Sequence, residues 1–293
     1  MAIIVGDIHG NLEKAQAFLA YRPEEEHIAL GDYVDSFYEP QTRQIETLQL
    51  LLDSATVLLW GNHDLHYLKT PPWYCTGRQW SEAWVKKFVR IVNGNKKRFK
   101  AAYTVDGWLC THAGCPTTLA AGLDDVTKMA DKLNRSFSDW LKKPVCFQDP
   151  NGRLNIEPDS IFNIGMGRGG GGMGGIFWYD FKRESGLAHV PQIFGHSETK
   201  EPVVTDTYVA LDTTNNKNTC WVYDTKSGLV AVPLPPRIVP RRLRDLPDRE
   251  RDLFWEWMYG QTRPFEDGLP DEDQDFFFPH DYDRWRAGLP PED

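Results

Sequence analysis

An α/β fold with two sheets is predicted by two features of this 293-residue chain: an opening in which short apolar runs alternate with segments of helical spacing, and a succession of short strands from Gln192 onward. Residues 2–5 (AIIV), 27–30 (HIAL) and 56–60 (TVLLW) are short and mostly apolar, as strands buried on both faces are. Between them, residues 12–21 and 41–52 repeat apolar side chains at helical spacing, so the opening reads β, α, β, α, β. The later runs QIFGH, PVVTD, YVALD, NTCWVYD and LVAVP are separated by turns of Asp, Asn and Gly, and read as a meander completing a second sheet.

Each of the three opening strands is followed by a polar run: GDIHG, GDYVD and GNHD. Loops leaving the carboxyl ends of parallel strands share one edge of the sheet, where such folds bind ligands. Asp7, His9, Asp32, Asp35, Asn62, His63 and Asp64 should therefore meet. Each alone has an ordinary role, since Asp and Asn close turns and Gly supplies a left-handed bend. Their recurrence at successive strand ends favours one shared site. Carboxylates buried together are costly unless a cation neutralises them, and a metal is the cation expected.

After GNHD, residues 65–68 (LHYL) can continue as helix until Pro71 and Pro72 stop it. His66 is read there as a surface or supporting histidine rather than a ligand. Between residues 73 and 100, Trp80, Trp84, Phe88 and Ile91 fall at helical spacing among Lys and Arg. This predicts an amphipathic helix with its aromatic face on the core. Its basic face is either simply solvated or part of a cap over the shared edge that draws in an anionic substrate. Residues 101–112 read as two short strands about Asp106 and Gly107, delivering His112 at the end of the second. A helix is expected over residues 124–141 with Asp124 as N-cap. Residues 163–178 hold eight glycines and one arginine, Arg168. They form either a flexible linker or a backbone cradle in which Arg168 reaches a phosphate, and they match neither a Walker A loop nor a dinucleotide fingerprint.

Beyond Pro233 the composition changes to a Pro/Arg run, a short helical stretch with Phe254, Trp255, Trp257 and Met258, and an acidic aromatic end. The expected organisation is a main domain over residues 1–233, with an aromatic and basic insertion at about 70–100, and an extension over residues 234–293. That extension is expected to wrap the core through its aromatics, with a regulatory or partner-docking tail as the second reading. The net charge of −9 argues against electrostatic binding of nucleic acid. No apolar run approaches the roughly 20 residues that span a bilayer, and the start lacks a basic leader, so a cytoplasmic protein without a membrane partner is expected. Cys75, Cys110, Cys115, Cys146 and Cys220 are scattered and odd in number, which suggests reduced thiols rather than disulfides or a thiolate zinc site.

GDIHG, GDYVD and GNHD, followed by His112 in THAG and His196 in FGHS, resemble the five blocks of calcineurin-like metallophosphoesterases. The likeness is to the phosphoprotein phosphatase type, which includes bacterial and phage Ser/Thr phosphatases and diadenosine tetraphosphatases, and it runs from about residue 1 to residue 233. It implies a two-sheet αββα sandwich with helices on the outer faces. It also implies two divalent metal ions, Mn first with Fe, Zn or Ni as alternatives, that activate a bridging water. Residue by residue, Asp7 and His9 would hold one metal, Asn62, His112 and His196 the other, and Asp32 would bridge them. His63 would protonate the leaving oxygen, oriented by Asp35, while Asp64 would be structural.

One departure matters. Where such phosphatases carry an arginine after GDYVD this chain has Ser36, so either another arginine grips the phosphate, Arg168 first and Arg183 second, or affinity for dianionic monoesters is reduced. The implied function is metal-dependent hydrolysis of phosphomonoesters, phosphoproteins among the candidates. Symmetrical hydrolysis of dinucleoside polyphosphates and a non-catalytic binding scaffold of the same fold are the alternatives.

Overall fold

The computed structural model describes residues 1–36, 39–73, 82–149, 152–157, 159–214, 218–235, 241–242, 246–247, 250–251, 253–255, 276–277 and 285. The chain divides into two units, Met1–Pro235 and Pro236–Asp293.

In the first unit the opening apolar runs form β1 (Ala2–Val5), β2 (Glu26–Ala29) and β3 (Val57–Leu59), with β4 (Phe99–Lys100) beside them, each parallel to the next. The crossovers carry α1 (Leu12–Ala20), started by the Asn11 side chain accepting from Lys14 N–H, and α2 (Gln41–Asp53). The second sheet contains β5 (Ala102–Val105), β6 (Trp108–Thr111), β7 (Gln192–Phe194), β8 (Val203–Val204) and β9 (Tyr208–Ala210), in the order β5-β6-β7-β9-β8. As the DG pair predicts, β5 and β6 make a hairpin whose turn residues Asp106 and Gly107 both have positive φ, 47° and 82°.

The period-two alternation along β1 sends its side chains to two different cores. Ile3 and Val5 join the helix-side cluster with Phe18, Leu48 and Leu51. Ala2 and Ile4 face Ile28, Leu30 and Leu59 of their own sheet together with Cys110, Ile193, Val209 and Leu211 of the other. The sheets therefore pack on one another, and the five opening and later motifs arrive along the same edge of that sandwich. The fold is α/β with two mixed sheets and helices packed on them.

The late strands depart from a simple meander. β7 and β9 are parallel, with β8 antiparallel on β9, while β10 (Thr219–Asp224) and β11 (Gly228–Pro233) leave for the first sheet, giving the order β11-β10-β1-β2-β3-β4. Alternation along a strand reports which faces are buried and not which edge it joins. Here β1, buried at all four positions, has a free edge that β10 closes.

Three helix readings also change. The helix after β3, α3 (Asn62–Leu65), is one turn, after which Tyr67 N–H and Leu68 N–H bond three residues back, to Asp64 and Leu65, and the chain tightens away. The aromatic helix is α4 (Glu82–Asn95), which buries Phe88 and Val92 while Trp84 and Ile91 are half-buried; Trp80 lies outside the described residues. A short helix, α5 (Thr117–Ala120), precedes α6 (Val126–Lys142), whose N-cap is Asp125, not Asp124: its carboxylate accepts from Lys128 N–H at 2.9 Å. Either residue of an Asp-Asp pair satisfies the capping rule, and the loop decides. The buried stripe of α6, Met129, Ala130, Leu133, Phe137 and Trp140, meets Phe162 and Phe177 from the glycine-rich region.

In the second unit, β12 (Arg241–Arg242) pairs antiparallel with β13 (Phe276–Phe277), residues 250–251 and 253–255 are helical, and the Phe254 and Trp285 rings lie 5.5 Å apart. Trp257 and Met258 lie outside the described residues. Cys110, Cys115, Cys146 and Cys220 are free thiols, and Cys75 is outside the described set. Among the described residues no helix is long and apolar enough to cross a membrane.

Candidate metal centre

Five loops at the carboxyl ends of β1, β2, β3, β6 and β7 bring the motif residues together. Asp7 and His9 follow β1, Asp32 and Asp35 follow β2, Asn62 and His63 open α3 after β3, His112 ends β6, and His196 follows β7. Two groups of ligand atoms result, each with its members within 4.8 Å of one another: Asp7, His9 and Asp32, and Asp32, His112 and His196. Asp32 belongs to both. His9 Nε2 lies 3.6 Å from Asp32 Oδ2 and 3.9 Å from Asp7 Oδ2, and His112 Nε2 lies 3.5 Å from Asp32 Oδ2. Asn62 Oδ1 sits 2.8 Å from His112 Nε2 and 3.0 Å from His196 Nδ1, completing the second group.

Backbone carbonyls orient two of these imidazoles. His9 Nδ1 donates to Val34 O at 2.8 Å and His112 Nδ1 donates to Leu30 O at 2.9 Å. With Nδ1 tied there, each ring turns its Nε2 inward. His112 Nε2 thereby comes to 2.8 Å from the carbonyl oxygen of Asn62. Asp7 Oδ2 and His196 Nε2 are buried with no hydrogen-bond partner among the described residues. The donors are oxygen and imidazole nitrogen without thiolate, a set suited to Mn, Fe, Zn or Ni. The residues present thus fit divalent metal.

Electrostatics agree with the geometry. Burial, with the charges of Asp212 and Asp32, pushes the Asp7 carboxyl well above the usual carboxylate range, whereas for Asp32 burial is outweighed by His112, His63 and His9, which lower it. Burial lowers both His9 and His196, keeping these rings neutral and able to ligate. His63 behaves oppositely: burial alone would lower it, but the Asp32 charge and the hydrogen bond of its Nδ1 to Asp35 Oδ2, 3.0 Å, raise it to about 9.

The backbone is shaped for close approach. A Cβ on Gly61 would lie 2.1 Å from Asp32 Oδ1, and one on Gly195 would lie 2.0 Å from Asp7 Oδ1, so the glycines of GNHD and FGHS let the carboxylates pack against bare backbone. Asp64 is not a member of either ligand group. Its carboxylate accepts from three backbone N–H groups, Asp32 and Gly61 on Oδ2 at 2.8 and 2.9 Å and Tyr33 on Oδ1 at 2.9 Å, and so ties the second motif to the third. His66 joins neither group and is partly buried.

A cleft of about 440 Å³ opens beside the cluster, lined by His9, Ser36, Arg168, Arg183, His196 and Asp212 among others. Arg168 sits in a short 3₁₀ turn, Met166–Arg168, its Nε 3.3 Å from Asp180 Oδ2 and its Nη2 donating to Ser197 Oγ at 3.3 Å. Arg183 donates to Gly167 O at 2.7 Å and is largely exposed. Of the two readings of the glycine-rich segment, this placement favours a structured cradle. No described basic residue of α4 lines the cleft. Sequence reasoning passed over Asp180, which holds Arg168, Asp212, which shares the wall, and Tyr67, which donates to Asp35. Asp212 alone carried a signal, standing at the end of the YVALD strand as the other site residues do.

A sandwich of two mixed sheets with oxygen and imidazole donors gathered on one loop edge defines a metal-binding phosphoester hydrolase class, and the comparisons place the chain within it. The model of the calcineurin-like phosphoesterase family matches residues 2–197, and the chain belongs to that family. Similar solved structures include a candidate diadenosine tetraphosphatase (15% identity, covering 80% of this chain and 94% of that one, TM-score 0.39). They also include a protein serine/threonine phosphatase from Saccharomyces cerevisiae with similarity to human phosphatase PP5 (12%, 84% and 81%, TM-score 0.45). A third is a metallophosphoesterase from Sphaerobacter thermophilus (13%, 81% and 89%, TM-score 0.38). No curated protein matches the chain in sequence.

Proposed function

We propose that this chain hydrolyses phosphomonoesters, phosphoproteins among them, with two divalent cations, Mn²⁺ first. The observation that carries the reading is the pair of ligand groups sharing Asp32, one with Asp7 and His9, the other with Asn62, His112 and His196. Cations bound there would supply an acidified water and neutralise phosphoryl oxygens. The remaining work falls to the chain's own side chains. His63, with Nδ1 committed to Asp35, has Nε2 left to hand a proton to the departing oxygen, and the Asp35 hydrogen bond favours the protonated ring. Arg168, held by Asp180 and Ser197, takes the phosphate-gripping role that Ser36 cannot, with Arg183 behind it. Asp64 holds the second and third motifs in register.

Lys182 lines the same cleft beside Arg168 and Arg183. Three cations in one cleft, set among the carboxylates of Asp180, Glu198 and Asp212, support as a second reading a symmetrical dinucleoside polyphosphate. The partner is thus a phosphorylated substrate rather than nucleic acid or membrane. The unpaired thiols agree with a cytoplasmic setting. Metal analysis of the purified protein together with turnover of p-nitrophenyl phosphate, a phosphopeptide and diadenosine tetraphosphate tests the proposal. Mn²⁺-dependent release of phosphate from the monoesters is the expected result. Absence of hydrolysis of every substrate after Mn²⁺ loading would leave the non-catalytic scaffold.

A further inference from the structure

The loop after α3 ends in a tyrosine that reaches back into the catalytic edge. Tyr67 is fully buried, and its hydroxyl donates to Asp35 Oδ1, while the other oxygen of that carboxylate, Oδ2, meets His63 Nδ1 at 3.0 Å. Asp35 itself is held at φ 62°, in the left-handed region. Tyr67 is in turn fixed on several sides. Its ring packs against Phe88 of α4 at 5.1 Å and edge-on to His66 at 5.2 Å, its N–H bonds to Asp64 O, and its carbonyl accepts from Asn93 Nδ2 at 2.9 Å. Asn93 also accepts from Lys69 N–H at 3.1 Å, so α4 braces the whole turn.

We propose that Tyr67 is a positioning residue for proton delivery: by occupying Oδ1 of Asp35 it fixes the carboxylate so that Oδ2 faces His63. The inference rests on the phosphomonoesterase reading above and adds to it a residue outside the five motifs. In the step it serves, the water oxygen bonds to phosphorus, the ester P–O bond breaks, and the proton on His63 Nε2 passes to the departing oxygen. Neutral imidazole remains, its Nδ1–H still on Asp35, and a proton from the attacking water, passed on through solvent, restores it. A carboxylate free to rotate would let the ring swing, and misplacement of an acid costs most when the leaving oxygen needs the proton most.

Tyr67→Phe keeps the ring in its aromatic packing and removes only the hydroxyl. Its kcat is compared with that of the native protein on phenyl phosphate, whose leaving group needs protonation, and on 2,4-dinitrophenyl phosphate, whose leaving group does not. The expected result is a loss of roughly tenfold on the first with little change on the second, unchanged KM and unchanged bound Mn. Asp35→Asn should show the same selectivity, and the double variant should be no more selective than Asp35→Asn alone, because both act through one pair. An equal loss on both esters, or loss of Mn, would make Tyr67 merely structural, and no loss would make it irrelevant; either overturns the inference while native turnover leaves the phosphomonoesterase reading intact. A native protein inactive on both esters refutes that reading, and this inference with it.

Discussion

Replacing Asp64 by asparagine changes one oxygen to a nitrogen and leaves volume nearly constant, so its effect isolates the clamp between the second and third motifs. In the native protein Oδ2 takes the N–H groups of Asp32 and Gly61 and Oδ1 takes that of Tyr33. Asparagine has one acceptor oxygen. In its better orientation that oxygen serves Asp32 and Gly61, and its NH₂ is forced against Tyr33 N–H, leaving a buried donor unpaired at about 1–3 kcal/mol. The two retained bonds lose their charge assistance, about 1 kcal/mol each. Removing a carboxylate beside Asp32, whose charge helps burial push Asp64 up to about 7, returns part of this, on the order of 1 kcal/mol. A net loss of about 2–4 kcal/mol is expected, read as a lower urea midpoint with unchanged slope. Because the Asp32 amide is one of the three donors, Mn²⁺ affinity should fall as well, although Asp64 is in neither ligand group. Wild-type midpoint and wild-type Mn²⁺ titration in Asp64→Asn would refute the clamp.

His63→Asn should lower kcat by roughly 10²-fold or more with bound Mn unchanged, whereas Asp32→Asn should lose metal; parallel metal analysis and kinetics separate the two roles, and equal metal loss would undo the assignment. Arg43 of α2 lies between Glu13 of α1, to which its Nη2 donates, and Glu39, 3.5 Å from its Nε, all three buried. Arg43→Met removes the cation facing both carboxylates and should destabilise by about 3–5 kcal/mol in urea unfolding. Asp224 anchors the end of β10: burial would raise its pKa, but the Ser227 hydroxyl, the Lys226 and Ser227 N–H groups and Arg22, whose Nη1 is 2.6 Å away, lower it on balance. A depressed carboxylate contributes stability that is present above the unfolded value, near pH 4, and is lost as pH falls through the folded one. Stability measured from pH 6 down to pH 2 should therefore drop less steeply in Asp224→Asn than in the native protein, and identical slopes would refute that contribution.

The parts of this molecule that sequence made legible are those in which local chemistry and global position coincide. Apolar runs ending in GDIHG, GDYVD and GNHD announce strand, loop and site at once, because the same glycine that ends the strand also lets a carboxylate approach bare backbone, as Gly61 does for Asp32. What stayed hidden depends on pairing between distant stretches. Nothing local to β10 says that it closes the free edge of β1 rather than continuing the second sheet, since its alternating burial would suit either. Nothing near Tyr67 says that its hydroxyl will meet Asp35, 32 residues earlier in the chain. Arg168 lies between these cases: a lone arginine among glycines drew notice, but Asp180, which aims it, is one acidic residue among the chain's 42.

The backbone itself argues that the catalytic edge is kept for chemistry at the expense of stability. Among the described non-glycine residues six have positive φ, and four of them are His9, Asp32, Asp35 and His196, at 45°, 52°, 62° and 67°. Each such conformation costs on the order of 1–3 kcal/mol, and glycine would remove the cost at every one of them. Elsewhere the chain does use glycine for left-handed backbone, as at Gly10, Gly107 and Gly114. At these four positions it does not, because each side chain belongs to a ligand group or orients His63. Charge is disposed less evenly: burial, with neighbouring carboxylates, raises Asp7 and Asp64, whereas for Asp32 burial is outweighed by His112, His63 and His9, which lower it. Strained backbone and raised carboxyls therefore fall on one edge of the sandwich, the edge that also gathers the two ligand groups.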